Sequence, residues 1–185
     1  MSKHVLVPIA DWIEEIEAVC IIDTLRRAGI TVTVASVGSL QITASRGTKI
    51  VADTTIEACA GQSFDMIAVP GGMPGAQTLS QSQTLVDLLK EQKQSGRWIA
   101  AICAAPAVVL QAHGLLEGIK ATCFPAFHSQ LNPARLSKDR LVVDHHVITA
   151  QGPGVALEFA LSLVEHLVGH DKRKEVATEM IVAGV

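Results

Sequence analysis

No C-x-x-C pair occurs in the chain, and its four cysteines, Cys20, Cys59, Cys103 and Cys123, are scattered. That spacing argues against zinc ribbons, thioredoxin-type redox pairs and a disulfide framework. The seven histidines form no H-E-x-x-H motif, and no metal site is expected. Charge is also sparse. Charged residues make up 18%, with 15 basic against 18 acidic side chains and a net charge of -3. Nucleic acid is therefore not expected as the main partner. The apolar run Val5–Ile9, behind Lys3 and His4, is too short for a signal segment and far too short to span a membrane. A soluble, cytoplasmic protein without a membrane partner is the expectation. Repeats, linkers and low-complexity stretches are missing too.

Apolar residues are plentiful, at 49% of 185, enough for one well-packed domain. Residues 4–9, 64–70 and 98–102 read as buried strands, and residues 30–36 alternate as a strand. Glu14 to Ala28 reads as a helix, with acids in its first turn, Arg26 and Arg27 in its last, and Gly29 behind it. Asp11 is a candidate cap for it. Its middle is apolar nearly all round, so one face is expected to meet another subunit. Short strands joined by turns are expected over 37–53, with Ser45-Arg46-Gly47 between them. A clear amphipathic helix runs from Thr84 to Lys93, capped by Ser80 or Ser82. Ile119 to Phe124 reads as a strand, and two short strands flank His145-His146, a solvated turn. A long helix follows Gln151-Gly-Pro-Gly154 and another spans 172–182. Alternating strands and helices with solidly apolar strands predict an α/β doubly wound fold, mostly parallel. Sites in such sheets lie outside the carboxyl ends of the strands.

Three segments fall there: the loop after residue 9, the loop Gly71-Gly-Met-Pro-Gly75, and Cys103. Cys103 ends a strand, and a helix signal starts at once, with Pro106 in its first turn. This is the arrangement of a nucleophile elbow. A thiol at a helix N-terminus is expected to have a lowered pKa. The plainer reading is a small buried hydrophobe. Glu17 shares a small, apolar stripe with Cys20, Ile21, Thr24 and Ala28. A carboxyl there needs a partner or a proton. Glu14 and Glu15 are most simply surface acids that complement the helix dipole. Asp23 and Arg27, one turn apart, read as an ion pair. The N–H groups of Gly71, Gly72 and Ala104 are candidate oxyanion donors. Cys59 and Cys123 read as packing residues.

Four segments together resemble the ThiJ/PfpI superfamily, in its YajL-like branch, which includes the human parkinsonism-associated deglycase. They are Ala100-Ala-Ile-Cys-Ala-Ala-Pro106, Val69-Pro-Gly-Gly-Met-Pro-Gly-Ala76, Glu14-Glu-Ile-Glu17 and Gln151-Gly-Pro-Gly154, in that family's order. The resemblance runs from about Lys3 to Gly184. It implies one class I glutamine amidotransferase-like domain over 1–185, flavodoxin-like, homodimeric, and without organic cofactor or metal. It implies that Cys103 is a reactive centre that oxidises to a sulfinate, with Glu17 as its buried hydrogen-bond partner. Gly72 and Ala104 are the implied backbone donors, and Arg46 an implied arginine near the pocket and the dimer interface. The implied activities are cofactor-free glyoxalase, deglycation of dicarbonyl adducts, and holdase chaperoning with redox sensing. The protease-like branches place histidine directly after the cysteine, where this chain has Ala104. The human-like branch has histidine where this chain has Phe124. A Cys-His peptidase is therefore not expected, and Glu17 is left as the acid–base group.

Overall fold

The computed structural model describes residues 3–183; positions 1, 2, 184 and 185 of the expected domain lie outside the described residues. The chain opens with β1 (His4–Ile9), buried from Val5 onward. Helix α1 (Glu15–Arg27) follows, then β2 (Thr31–Ser36). β3 (Gln41–Thr43) and β4 (Lys49–Val51) form a separate antiparallel hairpin. Next come β5 (Thr54–Thr55), β6 (Met66–Val69), α2 (Gly75–Gln81), α3 (Gln83–Gln94) and β7 (Trp98–Ile102). The chain closes with β8 (Leu141–Asp144), β9 (Val147–Ala150), α4 (Ala156–Val168) and α5 (His170–Glu179).

The main sheet has seven strands in the order β5-β2-β1-β6-β7-β9-β8. Every neighbouring pair is parallel except β8 with β9. The β1–α1–β2 crossover moves one way along the sheet, and β6–α2–α3–β7 moves the other. Right-handed crossovers therefore put α1 on one face and α2 and α3 on the opposite face. α4 packs against α1 and α5. The order reverses between β1 and β6, so a crevice opens above their carboxyl ends. The loops after β1, β6 and β7 meet there.

Several local expectations change. Glu14, not Asp11, caps α1, with its carboxylate accepting the Glu17 N–H at 2.8 Å. Asp11 instead accepts the Thr43 N–H, which ties the first loop to the hairpin. Ser82 caps α3, accepting from Leu85. The preceding turn also forms a helix, α2, whose pattern Gly75 and the neighbouring Pro74 had hidden. Residues 119–124 are not a strand. Ala121 makes a single bridge with Leu136, and Thr122 N–H donates to Thr149 Oγ1. β9 already occupies the sheet position beside β7, so this stretch lies against it without a ladder. After Cys103 the backbone enters a wide π turn over Pro106–Leu110 before tightening to a 3-10 turn.

Candidate active site

β7 ends in apolar residues with no outward-facing polar group, so the turn after it is buried. Cys103 sits on that turn with φ 64. A non-glycine residue rarely adopts this backbone, and it persists only where its surroundings enforce it. Two hydrogen bonds do so. The Cys103 N–H donates to the Ala150 carbonyl at 2.9 Å, and its carbonyl accepts the Phe124 N–H at 2.8 Å. The elbow expected from sequence is therefore present. Cys103 retains 9% of its surface.

Glu17 reaches the same place from α1. It is completely buried. Its Oε2 accepts the Gly71 N–H at 2.8 Å. Its Oε1 is also buried and makes no other hydrogen bond among the described residues, which leaves the Cys103 thiol as its acid–base partner. Burial pushes the carboxyl up to about 7, the Gly71 N–H opposes this, and the charge of Glu14 adds to it. Glu15 shows the reverse. It is buried rather than a surface acid, because Ser45 Oγ and the Arg46 N–H clamp it at 2.8 and 2.9 Å. Burial works against its charge, but these bonds and others from its own N–H and Thr48 hold it below its ordinary value. Two acids on one helix turn are thus set to opposite states by their surroundings.

The expected low pKa of Cys103 is corrected. Burial pushes the thiol up to about 12, and the neighbouring Glu17 carboxylate adds to the rise. The N–H groups of Gly72 and Ala104 favour the anion without prevailing. The turn behind Cys103 is too short and too buried for a helix dipole to overcome desolvation. The resting pair is therefore a thiol beside a carboxyl that titrates near neutrality. A carboxylate in this position can take the proton of the thiol beside it.

The glycine loop exists because nothing larger fits. A Cβ on Gly71 would lie 2.6 Å from Cys103 Cβ and 2.9 Å from Glu17 Oε2. Gly72 has φ +91, and a Cβ there would lie 2.4 Å from the Glu14 backbone nitrogen. The two glycines divide the work. Gly71 donates to Glu17, while the N–H groups of Gly72 and Ala104 favour a charged sulfur. Gly72→Ala combines backbone strain of about 1–3 kcal/mol with a backbone clash. Its thermal midpoint is expected to fall by about 5 °C or more, at about 2–4 °C per kcal/mol; differential scanning calorimetry checks this.

Arg46 stands at the tip of the β3–β4 hairpin, with its side chain exposed and its N–H on Glu15. None of its bonds among the described residues reaches Glu17 or Cys103. Phe124 is a contribution that sequence reading noted only as a departure. It is 41% exposed and, with Arg140 and Gly152–Val155, lines a cavity of about 220 Å³ beside the elbow. A Cβ on Gly152 would press on its ring at 3.2 Å. His128 bonds the Cys123 carbonyl instead of the site. The Asp23–Arg27 pair forms at 2.7 Å. His166 and His170 stand four residues apart, but Gly169 separates their helices and each ring bonds its own partner. No group of three metal-ligating side chains occurs among the described residues.

The model of the DJ-1/PfpI family matches residues 3–166. Protein DJ-1 homolog B of Arabidopsis thaliana is 46% identical over 98% of this chain, which spans only 42% of that relative's length. The glutathione-independent glyoxalase DJR-1.2 of Caenorhabditis elegans is 35% identical, with 98% of this chain and 97% of the relative covered. The solved structure of oxidized Toxoplasma gondii DJ-1 superposes with a TM-score of 0.97 at 46% identity, covering 98% of this chain and all of the other. With the switch-point crevice and the elbow cysteine already in place, these matches show that the chain belongs to the DJ-1/PfpI family.

Proposed function

We propose that the protein is a cofactor-independent enzyme that converts small dicarbonyls, or adducts derived from them, to hydroxy acids. One observation carries this reading. A carboxyl pushed up to about 7 is buried against an elbow thiol, with two backbone N–H groups that favour a charged sulfur. The name of the nematode relative, a glutathione-independent glyoxalase, supports the substrate class. For methylglyoxal, the Cys103 sulfur attacks the aldehyde carbon as Glu17 takes the thiol proton. The Gly72 and Ala104 N–H groups steady the oxygen that gains charge. Glu17 returns that proton to this oxygen, giving a hemithioacetal, and is then free to move a proton from the former aldehyde carbon to its neighbour while the hydroxyl proton passes to the neighbouring oxygen. The resulting thioester is hydrolysed by water to lactate, which returns the thiol. The sum is one water added and no external oxidant or reductant. For adducts on protein or nucleotide amines, the sulfur displaces the amine at the carbinolamine carbon; the amine leaves with the thiol proton, delivered by Glu17, and the same hemithioacetal results.

The test is steady-state lactate formation from methylglyoxal without glutathione. Many products per chain support the enzyme. One product per chain followed by arrest favours the second reading, a redox-sensing holdase in which oxidation of Cys103 is the signal. The oxidized state of the Toxoplasma structure is the observation that favours that alternative.

A homodimer and a cytoplasmic location belong to the same proposal. Ile16 and Val19 on α1, with Trp12 and Val51 on adjoining segments, are exposed apolar residues. Burying them against a second copy stabilises association by roughly 25 cal/mol per Å². Arg46 then lies at the rim where two chains meet. Light scattering at micromolar concentration is expected to give twice the chain mass; a clean monomer mass would count against the dimer.

A further inference from the structure

We propose that the opposite end of the sheet carries a second binding site, for a small monocarboxylate with an apolar body. A cavity of about 210 Å³ opens there, between the end of α3, the start of β7 and the β8–β9 turn. Ile99, Ile119 and Val147 supply apolar wall, and Lys93, Arg97 and His146 supply polar rim. Ile99 and Val147 are register partners on neighbouring parallel strands, so their side chains leave the same face of the sheet. β7 separates this cavity from the elbow. Arg97 and Cys103 are six residues apart along nearly extended chain, roughly 20 Å at about 3.3 Å per residue. The cavity is therefore not part of the site described above.

Charge decides the ligand class. Among the described residues, no acidic side chain lines the cavity. Arg97 is largely neutralised from outside, through Glu91 at 3.0 Å, and also bonds Ser63. His145, on the same turn, pairs with Asp144 at 3.0 Å. Lys93 is different. Its Nζ donates to the Gly114 carbonyl at 2.9 Å and has no acidic partner among the described residues. The last carbonyls of α3 accept from the N–H groups of Ser95, Gly96 and Arg97, which mutes the negative end of that helix. One uncompensated ammonium beside an apolar wall suits one negative charge on an apolar body. A dianion would find no second free cation, and a neutral apolar molecule would leave the rim unused. Small-ligand pockets have this composition, mostly apolar with a few convergent polar groups.

The test is titration of the 15N-labelled full-length protein with hexanoate, followed by amide chemical shifts. Saturable shifts are expected at residues 96–99, 119 and 145–147. Hexanamide, the neutral analogue, should bind about tenfold more weakly, a typical share for one charge-assisted contact. Lys93→Gln should weaken hexanoate by a similar factor while leaving the remaining spectrum and the dicarbonyl turnover unchanged. Equal binding of hexanamide would overturn the proposal. So would shifts centred on Gly71, Gly72, Cys103 and Ala104, or no saturable shift up to the solubility of the probe. Lys93 is an exposed surface residue, so the variant should fold. Because the readout is binding, it does not depend on the protein being a glyoxalase.

Discussion

Glu17→Ala should lower kcat for glutathione-independent dicarbonyl turnover by about 100-fold or more, the range expected when a general base is lost. Glu17→Gln keeps the shape and an acceptor for the Gly71 N–H, and should lose activity equally. The activity of the wild-type protein should fall as pH drops through about 7, because Glu17 must be unprotonated to accept the thiol proton. Glu14→Ala removes a negative charge that raises the Glu17 pKa. It should keep most turnover but move that acidic limb to lower pH, at a capping cost of about 1 kcal/mol.

Stability should move in the opposite direction to activity. Folded Glu17 holds its proton to about pH 7, against 4.5 for the ordinary group. Between those values the folded chain binds more protons than the unfolded chain, so stability declines as pH rises from about 4.5 to about 7. The full difference is about 3 kcal/mol at 1.36 kcal/mol per pH unit. Glu17→Gln escapes that loss, so it should melt several degrees above wild type at pH 8 and converge with it near pH 4.5. Calorimetry at the two pH values checks this. A variant that is both inactive and less stable at pH 8 would mean that the carboxyl is structural.

Mild peroxide should oxidise Cys103 before any other cysteine. Burial pushes all four thiols up, so static acidity does not single out Cys103. The means of losing the proton does. Cys103 alone combines a carboxyl that accepts near neutrality with two backbone donors to the sulfur. For Cys123, burial is the sole cause of its rise to about 11. Cys20 is raised by burial and then by Glu14, Asp23 and Glu17, whose charges oppose a thiolate. Cys59 is buried on the Thr55 carbonyl. Oxidation should proceed to sulfenate and then sulfinate. A protonated Glu17 and the Gly72 and Ala104 donors then hold the acid by charge-assisted hydrogen bonds. Peptide mass mapping after graded peroxide should show two added oxygens on the Cys103 peptide first, with Cys103→Ser as control. Comparable oxidation of Cys59 or Cys123 at the same dose would remove the special standing of the elbow.

The sequence pattern placed the strands well, because continuous apolar runs such as Val5–Ile9 and Trp98–Ile102 leave a buried parallel strand as the simplest outcome. It failed at Ile119–Phe124, where Lys120 and Thr122 alternate with apolar residues as in a half-buried strand, because only topology reveals that β9 holds the neighbouring position. Glu17 was legible because a carboxyl on an apolar stripe has few solutions. Glu15 was not, because the hairpin that buries it lies 30 residues away. The Cys103 thiol was misjudged for a related reason. Helix-end electrostatics can be read locally, whereas the depth of burial and the approach of Glu17 are tertiary facts.

The most direct measurement compares wild type with Cys103→Ser in one glutathione-free assay, counting lactate formed from methylglyoxal per chain. The hydroxyl is a far weaker nucleophile near neutral pH and nearly the same size, so folding is preserved while thiol chemistry is lost. The expected result is many lactates per wild-type chain and none above the uncatalysed background from Cys103→Ser. Undiminished turnover by Cys103→Ser would contradict the assignment of Cys103 as the nucleophile, and with it the proposed reaction.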